Sequence, residues 1–473
     1  MTQAIDTFGA ARAPRPGAWR RELVATLALA WPLILTNLAQ TALGATDVLM
    51  LSWLSPEALA AGALGANLFY VCFIGGVGLL SGVSAMIAAE RGRRRHAVRE
   101  VRRTARAGLW SAVALALPLW IVLWNTREVL LLLGQDPDLA REAGHYMRAM
   151  MWGLLPILLY ASLRSTVAAL ERPILALIVG IGAVALNALL NWALIFGNFG
   201  APALGLVGAG IASALTSTAM CLAIGALAMA DRRVRRYRLF GRFWRSDWPR
   251  FLQLWRLGLP IAAIILFEVT IFSAALLLMG LISQEALAAH TIAIQIASLS
   301  FMVPLGIGMA ATVRVGLGYG ADDREAVARA GWIAFGLGTG FMAAMALVMV
   351  AIPQVLVGLF LDLADPAIAP VVSLAVTYLL LAALFQVVDG AQAVGAGMLR
   401  GLQDTRVPML LAGLGYWVIG LPLAAILAFP LGLEGVGVWL GLAAGLAIVA
   451  VLLLHRWLSR ERLGLVRARP PTR

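Results

Sequence analysis

Lysine does not occur in this chain of 473 residues; all 37 Lys+Arg positions are arginine, a compositional bias that implies no function by itself. Cysteine is nearly absent too. Cys72 and Cys221 both lie inside apolar runs, so neither a disulfide framework nor a thiolate metal site can be built, and both read as small packing residues. Histidine is equally sparse, and His96, His145, His290 and His455 are scattered among links and segment ends without converging. With no nucleophile–base pair and no metal-ligand cluster, the chain does not read as an enzyme, and no cofactor is expected. Charge is scarce as well. Charged residues are 13% of the chain against about 25% in a soluble domain, which excludes an ordinary soluble fold.

Hydrocarbon takes the place of what is missing. Apolar residues reach 61%. They gather into twelve long segments, near 25–50, 63–88, 107–125, 147–168, 174–196, 207–229, 257–281, 289–315, 331–352, 372–396, 408–429 and 436–456. About 20 such residues cross a bilayer core of about 30 Å as a helix. The expected fold is an all-α integral membrane protein with 12 transmembrane helices. Residues 1–22 are polar and basic and read as a cytoplasmic tail. The apolar run after them is too long for a signal-peptide core and has no cleavage site, so it is expected to remain as the first membrane helix.

The formal net charge of +13 is distributed by topology. If the tails and even-numbered links lie inside, only Arg127, Arg141 and Arg148 of the 37 arginines fall outside, as the positive-inside rule requires. Both termini are then cytoplasmic. The basic links read as topology determinants that touch anionic lipid headgroups; none is long enough to be a nucleic-acid-binding domain. Between the sixth and seventh segments, residues 231–256 mix arginine with Phe243, Trp244, Trp248 and Phe251, which suits an interfacial linker helix.

The two halves repeat. Glu57-Ala58-Leu59-Ala60-Ala61 recurs as Glu285-Ala286-Leu287-Ala288-Ala289, 285 − 57 = 228 positions later. The same offset carries Pro32 to Pro260, Gly78 to Gly306 and Asn67 to Gln295. Six segments per copy bring both copies into the membrane from the same side, so the repeats are parallel. This divides the chain into an N-lobe (23–230), the basic linker (231–256), a C-lobe (257–457) and a second tail (458–473), with a central cleft between the lobes.

Three carboxylates fall well inside segments: Asp47, Glu268 and Asp389. A charge at the centre of a membrane helix costs about 2.5–3.5 kcal/mol even on the lenient insertion scale, so it marks a cavity or a partner. Asn37, Gln40 and Asp47 share one helix face, Asn187 and Asn191 are an i, i+4 pair, and Gln386, Asp389 and Gln392 sit together on the tenth segment. Glu268 and Asp389 lie at similar depth and can share one site for a proton or a hard cation. An acidic cleft attracts organic cations and releases them when the ion binds.

Four stretches carry a family resemblance: TALGATDVLMLSWLSPEALAA around Asp47, FEVTIF around Glu268, FQVVDGAQAVGAGMLRGLQDT around Asp389, and ATVRVGLGYGA closing the eighth segment. With these the chain resembles the multidrug and toxic compound extrusion (MATE) family, NorM-like branch, over essentially its whole length. The resemblance implies a bacterial cytoplasmic (inner) membrane exporter that exchanges H⁺ or Na⁺ for amphipathic organic cations and drugs. It implies a C-lobe cation site at Glu268 and Asp389, and an N-lobe cation or proton site at Asp47, Asn187 and Asn191, with Ser213 where threonine is common. Gln40 matches a substrate-facing glutamine. Asn37, Gln40, Gln295, Phe385, Gln386 and Gln392 are the candidate substrate-cavity residues. Phe385 departs from the family pattern, which has tyrosine there. The missing phenolic oxygen weighs against Na⁺ and toward H⁺.

The alternative is a lipid-linked precursor flippase of the same superfamily, which would need basic residues in its cavity. Arg164, Arg314 and Arg400 all fall near inner helix ends, and the cavity candidates are acids and amides, so export is the favoured reading. One chain supplies both halves of the cleft, and a monomer is expected to suffice.

Overall fold

A computed structural model describes residues 17–93, 97–241, 244, 247–363 and 365–466. Most of the expected N-terminal tail, His96, Phe243 and the end of the C-terminal tail lie outside the described residues. Among the described residues, twelve helices are long and apolar enough to cross a membrane: α1 (Ala18–Ser52), α2 (Pro56–Arg93), α3 (Ala97–Trp124), α4 (Pro137–Ala169), α5 (Ile174–Phe196), α6 (Gly205–Ala230), α7 (Trp248–Ile282), α8 (Gln284–Gly320), α9 (Arg324–Ala351), α10 (Pro366–Gly401), α11 (Arg406–Ala428) and α12 (Glu434–Leu458). In hydrocarbon every backbone polar group must be satisfied internally, and helices do this without neighbours. Most run past the apolar segments because polar turns continue them beyond the lipid-facing stretch.

Local chemistry repeats with the sequence. Ser55 Oγ accepts the Ala58 N–H at 3.1 Å to start α2, and Ser283 Oγ accepts the Ala286 N–H at 3.0 Å to start α8. The packing repeats as well. Helix α2 lies against α3 and α4 as α8 lies against α9 and α10; α1 pairs with α5 as α7 pairs with α11. The halves meet where α2 packs on α7 and α8, and α8 packs on α1.

The linker differs from the expected interfacial helix. Only Arg232–Arg235 form a separate helical turn, and the chain from Trp248 already belongs to α7. The reason is a start signal inside the stretch. Asp247 caps α7 by accepting the Arg250 N–H, and a proline occupies the first turn.

The arginine-rich end ties the halves together. Asp247 takes Arg103 of α3 through Nε at 2.5 Å, and this guanidinium holds its carboxyl below the usual carboxylate range. Arg250 of α7 reaches Glu90 of α2 at 3.2 Å and also Glu100 of α3. Arg314 of α8 grips Glu22 of α1 with two bonds of 2.7 Å and Glu171 of the α4–α5 turn at 2.8 Å. Arg91 of α2 joins this group through Glu171 at 2.9 Å and the Ala169 carbonyl at 2.6 Å. Among the described residues, every ion pair between the halves lies at this end.

Backbone approaches backbone there too. A Cβ on Gly320 would lie 1.9 Å from the Ala89 carbonyl oxygen, and one on Gly92 would lie 2.3 Å from that of Leu317. Only glycine allows this contact. Gly320→Ala is expected to lower the unfolding midpoint of the purified protein by at least about 2 °C. Gly340→Ala, with no atom within 4 Å of the added carbon, should leave the midpoint unchanged in the same thermal scan.

Candidate functional site

In the N-terminal half, polar groups from two helices, α5 and α6, close around Asp47 of α1. Asn187 and Asn191, one turn apart on α5, donate amide N–H groups to its Oδ1 at 3.1 and 2.6 Å. Ser213 of α6 donates its hydroxyl to Oδ2 at 3.0 Å. Asn191 also reaches the Asn187 oxygen at 3.3 Å. Both asparagines are buried, so these bonds replace the water that the site excludes. The four residues grouped from the sequence are brought together here.

Closer to the seam, the structure places a residue that sequence reasoning set aside. Arg164 is only 7% exposed. Its Nη1 donates to Gln40 Oε1 at 2.6 Å, and its Nη2 donates to Asn37 Oδ1 and approaches Met309 Sδ of α8 at 3.7 Å. Thr41 of α1 approaches Met302 Sδ of α8 at 3.8 Å nearby. Arg164 is thus a guanidinium inside the seam and not a group at the inner helix end. It sits several residues before the end of α4, and its long side chain reaches inward to α1. Asn37, expected on an open cavity wall, is 5% exposed for the same reason.

The C-terminal half is poor in donors. Asp389 is 5% exposed, and its Oδ1 has no hydrogen-bond donor. Gln386 and Gln392 on the same helix are each 1% exposed, with Oε1 atoms likewise unpartnered; Gln386 Nε2 makes one long bond, 3.5 Å, to the Ala297 carbonyl. Both glutamines were expected on the substrate cavity. They are instead enclosed, because α10 packs between α8, α9 and α12. Glu268 of α7 is half-buried and interacts electrostatically with Asp389, Arg400 and, across the seam, Tyr70 of α2. Gln295 is exposed on α8.

Phe385 is no wall of a cavity either. It is 2% exposed and packs edge-on against Phe272 at 5.9 Å and Trp439 at 5.7 Å, with His290 on the far face of Trp439 at 5.3 Å. The phenolic oxygen absent at this position is supplied from another helix. Tyr416 is fully buried, and its hydroxyl interacts with Gln392 and with both Glu268 and Asp389. It is carried by a π-helical stretch, Leu414–Gly420, that interrupts α11. Such wide turns shift the helix register and occur at functional positions. Sequence periodicity gives no sign of a π turn, and the only hint was a tyrosine within an otherwise apolar run.

Two halves with matching helix contacts, one shared seam and polar clusters buried among membrane-length helices fit a two-lobed membrane transporter. Comparison with known proteins gives the family. The MatE family profile matches residues 32–193 and 260–426, one match in each half, and the chain belongs to that family. It is 59% identical over 460 residues to a probable multidrug resistance protein NorM of Mesorhizobium japonicum, covering 97% of this chain and 98% of that one. It is 42% identical over 447 residues to a multidrug resistance protein NorM of Burkholderia vietnamiensis, covering 94% and 96%. Among solved structures it shares the fold of the eukaryotic MATE transporter AtDTX14, with a TM-score of 0.84 at 21% identity over 95% of this chain and 98% of that one.

The Asp47 cluster makes a graded expectation. Asn191 is wholly buried and bonds two partners, so Asn191→Leu is expected to cost about 1–3 kcal/mol, and Ser213→Ala about 1 kcal/mol or less. Adding Asp47→Leu to Asn191→Leu should recover much of that loss, since no buried carboxylate is then left without its donor. Unfolding of the detergent-solubilised single and double variants measures the coupling.

Proposed function

We propose that the protein is a multidrug exporter that exchanges H⁺ or Na⁺ for amphipathic organic cations by alternating access, with both termini and the arginine-rich links on the cytoplasmic face of a bacterial inner membrane. The observation that carries the ion-coupled reading is the donor-poor cluster of the C-terminal half. Asp389 Oδ1, Gln386 Oε1 and Gln392 Oε1 are buried without partners, and Asp389 has a second carboxylate, Glu268, nearby. Each unpartnered buried group costs about 1–3 kcal/mol, and a proton or a cation arriving among these oxygens relieves several at once. Multidrug export is supported by relatives named as multidrug resistance proteins across nearly the whole chain.

In this mechanism the ion and the drug compete for the acids. With Glu268 and Asp389 unloaded, their negative field draws a cationic drug into the cleft between the halves. Loading the site from outside neutralises that field and releases the drug on the same side. The halves are tied at the arginine-rich end, which supports a cleft open to the opposite, external face. Sodium and proton remain both workable, because Tyr416 offers the phenolic oxygen that Phe385 lacks. A lipid-linked flippase would want free basic groups in the cleft. Arg164 at the seam is already occupied by two amide oxygens, and Arg400 interacts with Glu268.

In proteoliposomes, Glu268→Gln and Asp389→Asn are each expected to bring ion-driven efflux of a fluorescent organic cation to background while the proteins remain correctly inserted. Full efflux by both variants would overturn the coupling assignment. Imposing a pH gradient and a Na⁺ gradient separately identifies the ion. Tyr416→Phe should impair Na⁺-driven efflux far more than H⁺-driven efflux, because only the metal ion needs the extra oxygen.

A further inference from the structure

Where α7 meets the α10–α11 turn, a pocket of about 270 Å³ opens at the arginine-rich end. Gln253 and Arg256 of α7 line one side, and Gln403, Asp404, Thr405 and Arg406 line the other. Thr405 donates its hydroxyl to the Leu257 carbonyl at 3.1 Å, which pins the turn to α7.

The charge of this pocket is unbalanced. Its one lining acid, Asp404, is taken by Arg456 of α12, whose Nε donates to it at 2.5 Å. Arg256 and Arg406 are exposed, and among the described residues neither makes an ion pair or a side-chain hydrogen bond. The first half treats the same place differently: Arg172, just before α5, is taken by Asp231 through Nε at 3.0 Å. Each guanidinium carries five N–H donors and no acceptor. Two such cations on one pocket repel each other, and an anion seated between them relieves the repulsion. Guanidinium forks match phosphate oxygens two at a time, and the Gln253 and Gln403 amides can add N–H donors to the same group.

Position indicates which phosphate. Arg256 directly precedes the apolar stretch 257–281, and Arg406 stands two residues before 408–429. Both therefore lie at the polar–apolar boundary, the level of lipid headgroups. Leu259 is 50% exposed and Leu410 64% exposed, each about one turn further into the apolar stretch than its arginine and on the same helix face. Acyl chains gain from covering such leucines, and a soluble anion does not.

We propose that this pocket is a headgroup site for one anionic phospholipid. Its phosphate is held between Arg256 and Arg406, its acyl chains lie along Leu259 and Leu410, and the lipid bridges α7 and α11. This is a single site of fixed stoichiometry, distinct from the diffuse attraction that the basic links exert on a charged surface.

The test uses the full chain, purified in a non-ionic detergent, with native mass spectrometry counting the lipids retained during titration. Phosphatidylglycerol and phosphatidylcholine are the two probes, since both carry the phosphate but choline adds a cation that the arginines repel. The wild type is expected to hold one phosphatidylglycerol at least about tenfold more tightly than phosphatidylcholine. Arg256→Gln and Arg406→Gln should each weaken phosphatidylglycerol about fivefold, and the double variant should bring the two lipids level. Arg233→Gln, an exposed arginine of the linker, should leave the preference intact. Both site arginines are exposed, so the single variants are expected to stay monodisperse and carry the test if the double variant does not. Equal retention of the two lipids by the wild type, or an undiminished preference in the monodisperse single variants, would overturn the site. Displacement of the bound lipid by inorganic phosphate would assign the pocket to a soluble anion and overturn the lipid as its occupant.

Discussion

A polar group inside hydrocarbon has no water to turn to, and that constraint decides where this protein is finished and where it is not. The N-terminal half meets it at the Asp47 carboxylate, where three donors from two other helices converge, leaving only the Asn191 Oδ1 of that cluster without a partner. The C-terminal half does not. Its acids and amides crowd acceptor oxygens together with too few donors. A fold selected for stability alone would have removed such a cluster, since replacing unpartnered groups by apolar ones is favourable. Its retention within a tightly packed half makes sense if a proton or cation completes it part of the time.

The parallel repeat explains how one chain holds both solutions. Equivalent helices make equivalent contacts, so each position in the first half has a counterpart with the same surroundings of backbone. Side-chain chemistry then diverges freely. Asp47 corresponds to Ala275 in the repeat, and Gln40 to Glu268. The scaffold is symmetric and its charges are not. An amide committed to Arg164 stands where the other half puts a carboxylate.

The sequence made the architecture legible because its signals are local and repeated. Hydropathy marks the spans, serine caps mark the starts of α2 and α8, and Pro32 and Pro260 register the two halves. The Asp47 cluster was legible in two steps: spacing puts Asn187 and Asn191 on one face, and the family resemblance joins them and Ser213 to Asp47. What could not be read depends on distance or on irregular backbone. Arg164 meets residues more than a hundred positions away, and only side-chain length and helix register reveal that it points inward. Tyr416 enters the acidic cluster through a π turn that breaks the very periodicity used to predict faces. Phe385, Gln386 and Gln392 were placed on a cavity because they flank Asp389, yet helices on several sides enclose them. The linker misled through composition: its aromatics and arginines suit an interface, but Asp247 and the following proline start α7 inside it.

The seam also shows two grades of attachment. Where α7 meets α2 and α3, Arg250 and Glu90 are about a tenth exposed, and breaking such a pair leaves a buried charge that costs several kcal/mol, about 3–5. Where α8 meets α1, Arg314 grips Glu22, 12% exposed, while its second partner, Glu171 of the α4–α5 turn, is shared with Arg91 and is 38% exposed. Exposed pairs of that kind contribute about 0–1 kcal/mol, because water replaces them readily. The glycine contacts between α2 and α8 add shape specificity but bury no charge. The ties are strongest where their charges are most enclosed, at Arg250 with Glu90 and at Arg314 with Glu22, and weakest at the more exposed Glu171.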